Sequence, residues 1–267
     1  MLKNEVKRPL LKRAFFFSIC LILLSSCAQM KTLFYRENPI VPNNQIPGIQ
    51  NKDYVSHLIH LEESLKENRR IKFKRLTARN RDYLTRVFYR VVTNNELLLP
   101  QNIKPKFSIV RDKTPFIFSL PHFHFYISTG LVKRYLKNEA LLLAAFGFEI
   151  VKSGRNVFEK KRVIPLGVTG VKDLLTLTRV DYSTKLEIYK WTYYALRRSE
   201  YDAAAILNWI QTQNKNALDF SWQIRDPRGV SREELAFKSF LVAQGIEQFE
   251  LSETNSSKDF YKFKDSI

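Results

Sequence analysis

The stretch NEALLLAAFGFEIVKSGRN, residues 138–156, decides how this chain is read. Its apolar run is long enough for a helix and too continuous for an exposed one, so it predicts a buried helix over 138–154. One carboxylate, Glu149, breaks that run between Phe148 and Ile150, and Lys152 follows three residues on. Residues three apart are neighbours on a helical face, so Glu149 and Lys152 are expected to pair. A buried carboxylate needs a partner or a task, and the surrounding sequence bears on which of the two applies here.

Strand signals precede this helix. PKFSIVRD, FIFSL and HFHFYIS are short, β-branched and aromatic, and Pro115 and Pro121 separate them. They predict a small sheet. Helices are expected over 53–69, where Tyr54, Leu58, Leu61 and Leu65 fall at helical spacing, and in NRDYLTRVFYRVVTNNELL from residue 80. A short helix over 130–136 precedes the buried one. Further helices are expected over 184–198, in YDAAAILNWIQTQ, and in SREELAFKSFLVAQG, where Ser231 can cap, Glu234 sits three residues later and Gly245 can terminate. The segment 163–184 reads as a loop with a short helical piece. The fold class is therefore α+β, mostly helical with a small β-sheet.

The N-terminus addresses compartment. MLKNEVKRPLLKR is a cationic leader, and AFFFSICLILL is an apolar run too short to span a bilayer of about 30 Å. That combination predicts a secretion signal over 1–26. LSSC, ending at Cys27, resembles a bacterial lipobox, which implies cleavage before a lipidated cysteine. Cys20 would be lost with the signal, leaving Cys27 with no internal disulfide partner. Ala28 matches the outer-membrane sorting pattern of such lipoproteins. The expected location is the cell envelope, lipid-anchored on the periplasmic face of the outer membrane. Residues 27–52 read as an extended tether rich in proline and asparagine, 53–250 as the folded domain, and 251–267 as a mobile polar tail. The formal net charge is +18. An exported basic protein meets anionic lipid or envelope polymer rather than nucleic acid, so no nucleic-acid partner is expected. KENRRIKFKRLTARNR reads as a solvated basic face.

The order of segments resembles the HtpX-type and BepA-type zinc metallopeptidases of bacterial envelopes. IFSLPHF (117–123), STGLV (128–132), ALLLAAFGFEIVKSG (140–154) and RRSEYDAAAILNWIQTQ (197–213) stand where that family has its Leu-Pro strand, its TRGLL segment, its HExxH helix and a later helix preceded by Tyr-Asp. The likeness covers about residues 80–212 and implies a zincin-like metallopeptidase fold. Family chemistry uses two histidines at i and i+4 on zinc, a glutamate after the first as general base, and a third glutamate ligand. Here the histidine positions hold Phe148 and Lys152, and Glu149 stands where the general base would. Counting back from Tyr201 and Asp202 puts Lys185 at the third ligand position and Tyr189 at the family's aspartate. Glu187 is two residues away, but such a slip turns a helical side chain by about 200°.

Phenylalanine has no lone pair, and lysine is an ammonium at neutral pH. Bringing a lysine pKa from about 10.4 to 7 costs about 4–5 kcal/mol. The resemblance therefore implies lost metal positions at Phe148, Lys152 and Lys185, no metal, no cofactor and no catalytic residue, with Glu149 vestigial and ion-paired. A Glu–Lys pair at this spacing is also common on ordinary exposed helices. In the family the segment after Leu-Pro is an edge strand beside substrate, so His122, Phe123, His124, Phe125 and Tyr126 are the candidates for a peptide groove. His122 and His124 alternate on a strand and are expected to face one way. His57 and His60, with Glu62 and Glu63 nearby, read as a surface group. No G-x-S-x-G motif supports serine catalysis.

Three functions stay open. One is a non-catalytic binding or assembly factor for envelope protein clients, attached to the lipid bilayer through acylated Cys27. A second is a divergent zinc metallopeptidase with ligands relocated to His122, His124 or Glu187. The third is a basic lipoprotein binding anionic lipid or polymer.

Overall fold

A computed structural model describes residues 51–95, 104–158, 163–167, 169–224, 226–246 and 256–267. All of them belong to one compact unit, Gln45–Ile267. The signal, Cys27 and nearly all of the tether lie outside the described residues.

The chain opens with helix α1 (Asn51–Glu67), so the helix begins two residues inside the segment expected to be a tether. Strand β1 (Phe73–Lys74) and helix α2 (Ala78–Thr93) follow. Then come β2 (Lys106–Val110), β3 (Ile117–Leu120) and β4 (His124–Ser128). Helices α3 (Thr129–Arg134), α4 (Glu139–Gly154), α5 (Val171–Leu177), α6 (Tyr182–Arg198), α7 (Ala205–Lys215), α8 (Pro227–Ala243) and α9 (Lys258–Asp265) complete it. The observed class is α+β with a small sheet.

The sheet order is β1-β2-β4-β3. β4 pairs parallel with β2 (Phe107 opposite Phe125) and antiparallel with β3 (Phe118 opposite Tyr126). All five β4 residues are buried, as a central strand covered on both faces requires. The faces divide by alternation. Ile109, Ile117, Phe125 and Ile127 join the core under α4, whereas Val110, Phe118, Leu120 and Tyr126 join a second core with Tyr54, Leu58, Leu61 and Leu65 of α1 and Leu174 of α5. β1 was not anticipated. Its two residues lie in the basic segment, whose Arg69, Arg70, Lys72 and Arg75 are exposed as expected.

Helix α4 is buried from Ala140 to Ser153 and packs on α6, α7 and β3. Asn138 caps its start by accepting from Leu141 N–H. At its end Asn156 takes φ +49°, and Asn156 and Val157 return N–H groups to the carbonyls of Ser153 and Lys152. Two expectations are corrected. Helix α8 begins at Pro227 under an Asp226 cap, so Ser231 lies inside it, although Gly245 (φ +77°) does terminate it. The stretch 256–267 is not a free tail. α9 buries Phe260, Phe263 and Ile267, while Asp259 meets Arg79 and Arg86 and Ser257 meets Glu139. Spacing at i and i+3 puts Phe260 and Phe263 on one face of α9, and Ile267 is buried just past its end.

Candidate functional site

Glu149 is 2% exposed and Lys152 3% exposed, and their charged groups lie 2.5 Å apart. The expected pair therefore exists, and it is buried. The same Glu149 oxygen accepts the backbone N–H of Ser119 at 2.7 Å and lies 2.7 Å from the Ser119 hydroxyl. Ser119 is on β3, the edge strand. Two residues earlier along that edge, the Gln223 side chain accepts from Ile117 N–H (3.2 Å) and donates to Ile117 C=O (3.1 Å), as a neighbouring strand would. The exposed groups of an edge strand invite pairing by another chain. Here side chains of the same protein occupy those at Ile117 and the Ser119 N–H.

This geometry corrects the groove expectation. Both edges of β4 are paired, so His124, Phe125 and Tyr126 offer no free edge for strand addition. His122 and Phe123 are not in the strand at all. They form the β3–β4 turn with φ +61° and +58°, a region costly for residues other than glycine. The Ser153 hydroxyl holds that turn, accepting from Phe123 N–H at 3.0 Å and donating to Leu120 C=O at 2.8 Å. The turn breaks the alternation, so His122 is exposed while His124 is buried.

Two of the three positions read as displaced metal ligands, Phe148 and Lys185, meet at Tyr189, and Lys152 is linked to it through Glu149, whose charge acts on the phenol. The Phe148 and Tyr189 ring centroids are 4.9 Å apart, and the Lys185 ammonium lies 5.7 Å from the Tyr189 centroid. Lys185 does not reach Glu149. Its partner is Glu233 of α8, at 2.7 Å, which is 6% exposed. Burial raises the Tyr189 phenol well above its ordinary pKa, and the charges of Glu233 and Glu149 add to that. Two carboxylates and two ammoniums are thus paired within an otherwise apolar shell. Such a donor set does not fit zinc: one position is a benzyl ring and the other two are cations. Among the described residues, no three His, Cys, Asp or Glu side chains group as a metal site. Glu233 was missed in the sequence, although Val230, Glu233, Phe237 and Leu241 form one buried stripe of α8.

A second buried network also went unread. Glu62 of α1 points inward, away from His57 and His60, and its carboxylate contacts His124 Nδ1. It also accepts from Tyr126 Oη at 3.0 Å and meets Lys66 at 2.5 Å. The Ser108 hydroxyl is 3.4 Å from His124 Nε2. The chain of contacts hydroxyl, imidazole, carboxylate binds α1 to the sheet. Burial works against ionisation of Glu62, but His124 and then Lys66 outweigh it and hold its carboxyl at about 2. A depressed pKa gives stability that is complete above the unfolded value of 4.5 and is lost as pH falls from there to about 2. Glu62→Gln should flatten that part of the acid-unfolding profile, removing about 3 kcal/mol of pH-dependent stability. An unchanged profile between pH 5 and 2, followed by circular dichroism, would contradict the assignment. His60 and Glu63 do form an exposed pair at 3.6 Å, whereas His57 accepts from Ile164 N–H and its pKa is lowered by burial and then by His60.

No family model matches the sequence, and no curated protein matches it significantly.

Proposed function

We propose that this chain is a lipid-anchored envelope protein with a degenerate zinc-metallopeptidase scaffold of the HtpX and BepA type, acting as a non-catalytic protein-binding or assembly factor. The supporting observation is that Phe148 and Lys185 meet at Tyr189 while Lys152 pairs with the neighbouring Glu149, so both lysines are closed by buried carboxylates. One Glu149 oxygen is shared among Lys152 and two Ser119 donors, which lowers its basicity and works against a general-base role. The envelope location and the Cys27 anchor rest on the N-terminal sequence pattern.

The relocated-ligand enzyme is disfavoured by geometry. His124 is committed to Glu62, His122 is exposed in a turn, and Glu187 is on the surface with Lys190 at 2.7 Å. The test compares metal content and peptide hydrolysis of the chain with those of the variant F148H/K152H/K185E. The native chain should stay substoichiometric in zinc and inactive, and the variant should take up about one zinc per chain. Stoichiometric zinc with hydrolysis in the native chain would overturn the proposal. Among the described residues no helix is long and apolar enough to cross a membrane.

A further inference from the structure

The C-terminal end of α4 and the outer stripe of α6 bound a cleft of about 280 Å³. It is lined by buried Val151, Ala195 and Asn95, whose amide is tied to the Val91 and Ala195 carbonyls, by exposed Trp191 and Tyr194, and by exposed Arg155 and Arg198. Residues 191, 194, 195 and 198 recur at helical spacing, so they form one stripe of α6, facing Val151 and Arg155 of α4. Two features of this cleft are not explained by folding. Trp191 is 46% exposed beside buried Val151 and Ala195, although tryptophan brings a large apolar surface to any contact it completes. Neither Arg155 nor Arg198 has a carboxylate partner among the described residues, whereas Arg79, Arg86, Arg90 and Arg134 each have one. Arg155 lies only over the Trp191 ring, its guanidinium carbon 5.1 Å from the centroid. The helix macrodipole accounts for cations at the two helix C-termini. It leaves their N–H donors available, because the last α4 carbonyls are already used by Arg155, Asn156 and Val157 N–H groups.

We propose that this cleft binds the free C-terminus of a peptide ending in an apolar residue. The terminal carboxylate would lie between the Arg155 and Arg198 guanidiniums, whose planar forks suit a carboxylate. The terminal side chain would fill the cleft against Trp191, Val151 and Ala195. Size favours this occupant. Sites for drug-sized ligands run from about 300 Å³ upward, so the cleft suits one residue rather than a two-chain lipid. Terminal-carboxylate capture also needs no free strand edge, and the β3 edge of the sheet is plugged by Gln223 and Glu149. The proposal rests on the binding-factor reading and names what that factor would recognise.

The test titrates the full chain with N-acetyl-Ala-Ala-Phe as free acid and as amide, following tryptophan fluorescence and calorimetry. Of the three tryptophans, Trp209 is buried and Trp222 is half-buried against Phe116, so the exposed Trp191 is the natural reporter. The acid should bind about tenfold or more tightly than the amide, the effect of losing one charge-assisted contact. R155Q/R198Q should abolish that preference without changing thermal unfolding, since both side chains are exposed. W191F should reduce the fluorescence response. Equal affinity for acid and amide would overturn the proposal, as would binding indifferent to the double variant. Arginine-dependent binding to phosphatidylglycerol vesicles with none to the peptide acid would also overturn it and make the cleft a lipid site. Peptide binding elsewhere on the chain would remove this cleft and leave the binding-factor reading standing, whereas zinc-dependent hydrolysis by the native chain would remove that reading whatever binds here.

Discussion

Lys152→Met is expected to destabilise the protein by about 3–5 kcal/mol, the cost of leaving a buried charge without its partner. Methionine is close to lysine in length and shape, so the α4 packing survives and the change is electrostatic. What remains is Glu149, 2% exposed, with only the two Ser119 donors to compensate it. Those donors place the result nearer the lower end of the range. The double variant E149Q/K152M should recover most of the loss, because a glutamine oxygen can still accept from Ser119 N–H and no charge is left buried. A positive interaction energy in that cycle separates the pair from the packing around it. Urea unfolding of K152M, E149Q and E149Q/K152M measures it through the midpoint at constant slope. A single variant within about 0.5 kcal/mol of the native chain would show that the pair is not a buried one.

Gly130→Ala should cost about 3 kcal/mol or more, at the upper end for overpacking. A Cβ there would sit 2.1 Å from the Lys113 carbonyl oxygen and 2.5 Å from its carbon, both backbone atoms. The approach is fixed by the Gly130 N–H bond to Asp112 C=O at 2.8 Å and by Ser128, which caps α3. Neither chain can withdraw without losing these bonds. Gly147→Ala is the control. Its Cβ would meet Thr192 Cγ2 at 3.0 Å and Leu196 Cδ2 at 3.4 Å, side-chain atoms that can yield. A cost of about 1 kcal/mol is expected there, partly offset by the better helix propensity of alanine. Thermal unfolding of both variants gives the comparison, and equal costs would contradict the backbone clash.

Much of the site was legible because its signals are local. The apolar run around Glu149 specified a buried helix, and i,i+3 spacing put Lys152 within reach. The pattern marks Phe148, Lys152 and Lys185, of which Phe148 and Lys185 meet at Tyr189 and Lys152 pairs with Glu149. Lys185 was not expected to find Glu233, because that contact joins two helices 48 residues apart and no periodicity within either reports it. His122 and His124 were misjudged for a related reason. Alternation holds only within a strand, and two left-handed residues, His122 and Phe123, held by Ser153 from α4, delay the start of β4 to His124. The end of the chain was misread because Phe260, Phe263 and Ile267 are sparse among charges, although the helical spacing of Phe260 and Phe263 was present.

The sequence by itself determined the helices other than α9, the three main strands and the buried Glu149–Lys152 pair, since each follows from contacts within a few residues along the chain. Tertiary structure decided that β3, rather than β4, is the sheet edge, that Gln223 and Glu149 close it, and that α9 docks on α2. Those outcomes depend on which distant donors and apolar faces meet. A buried carboxylate or strand edge must be satisfied by whatever the fold brings to it.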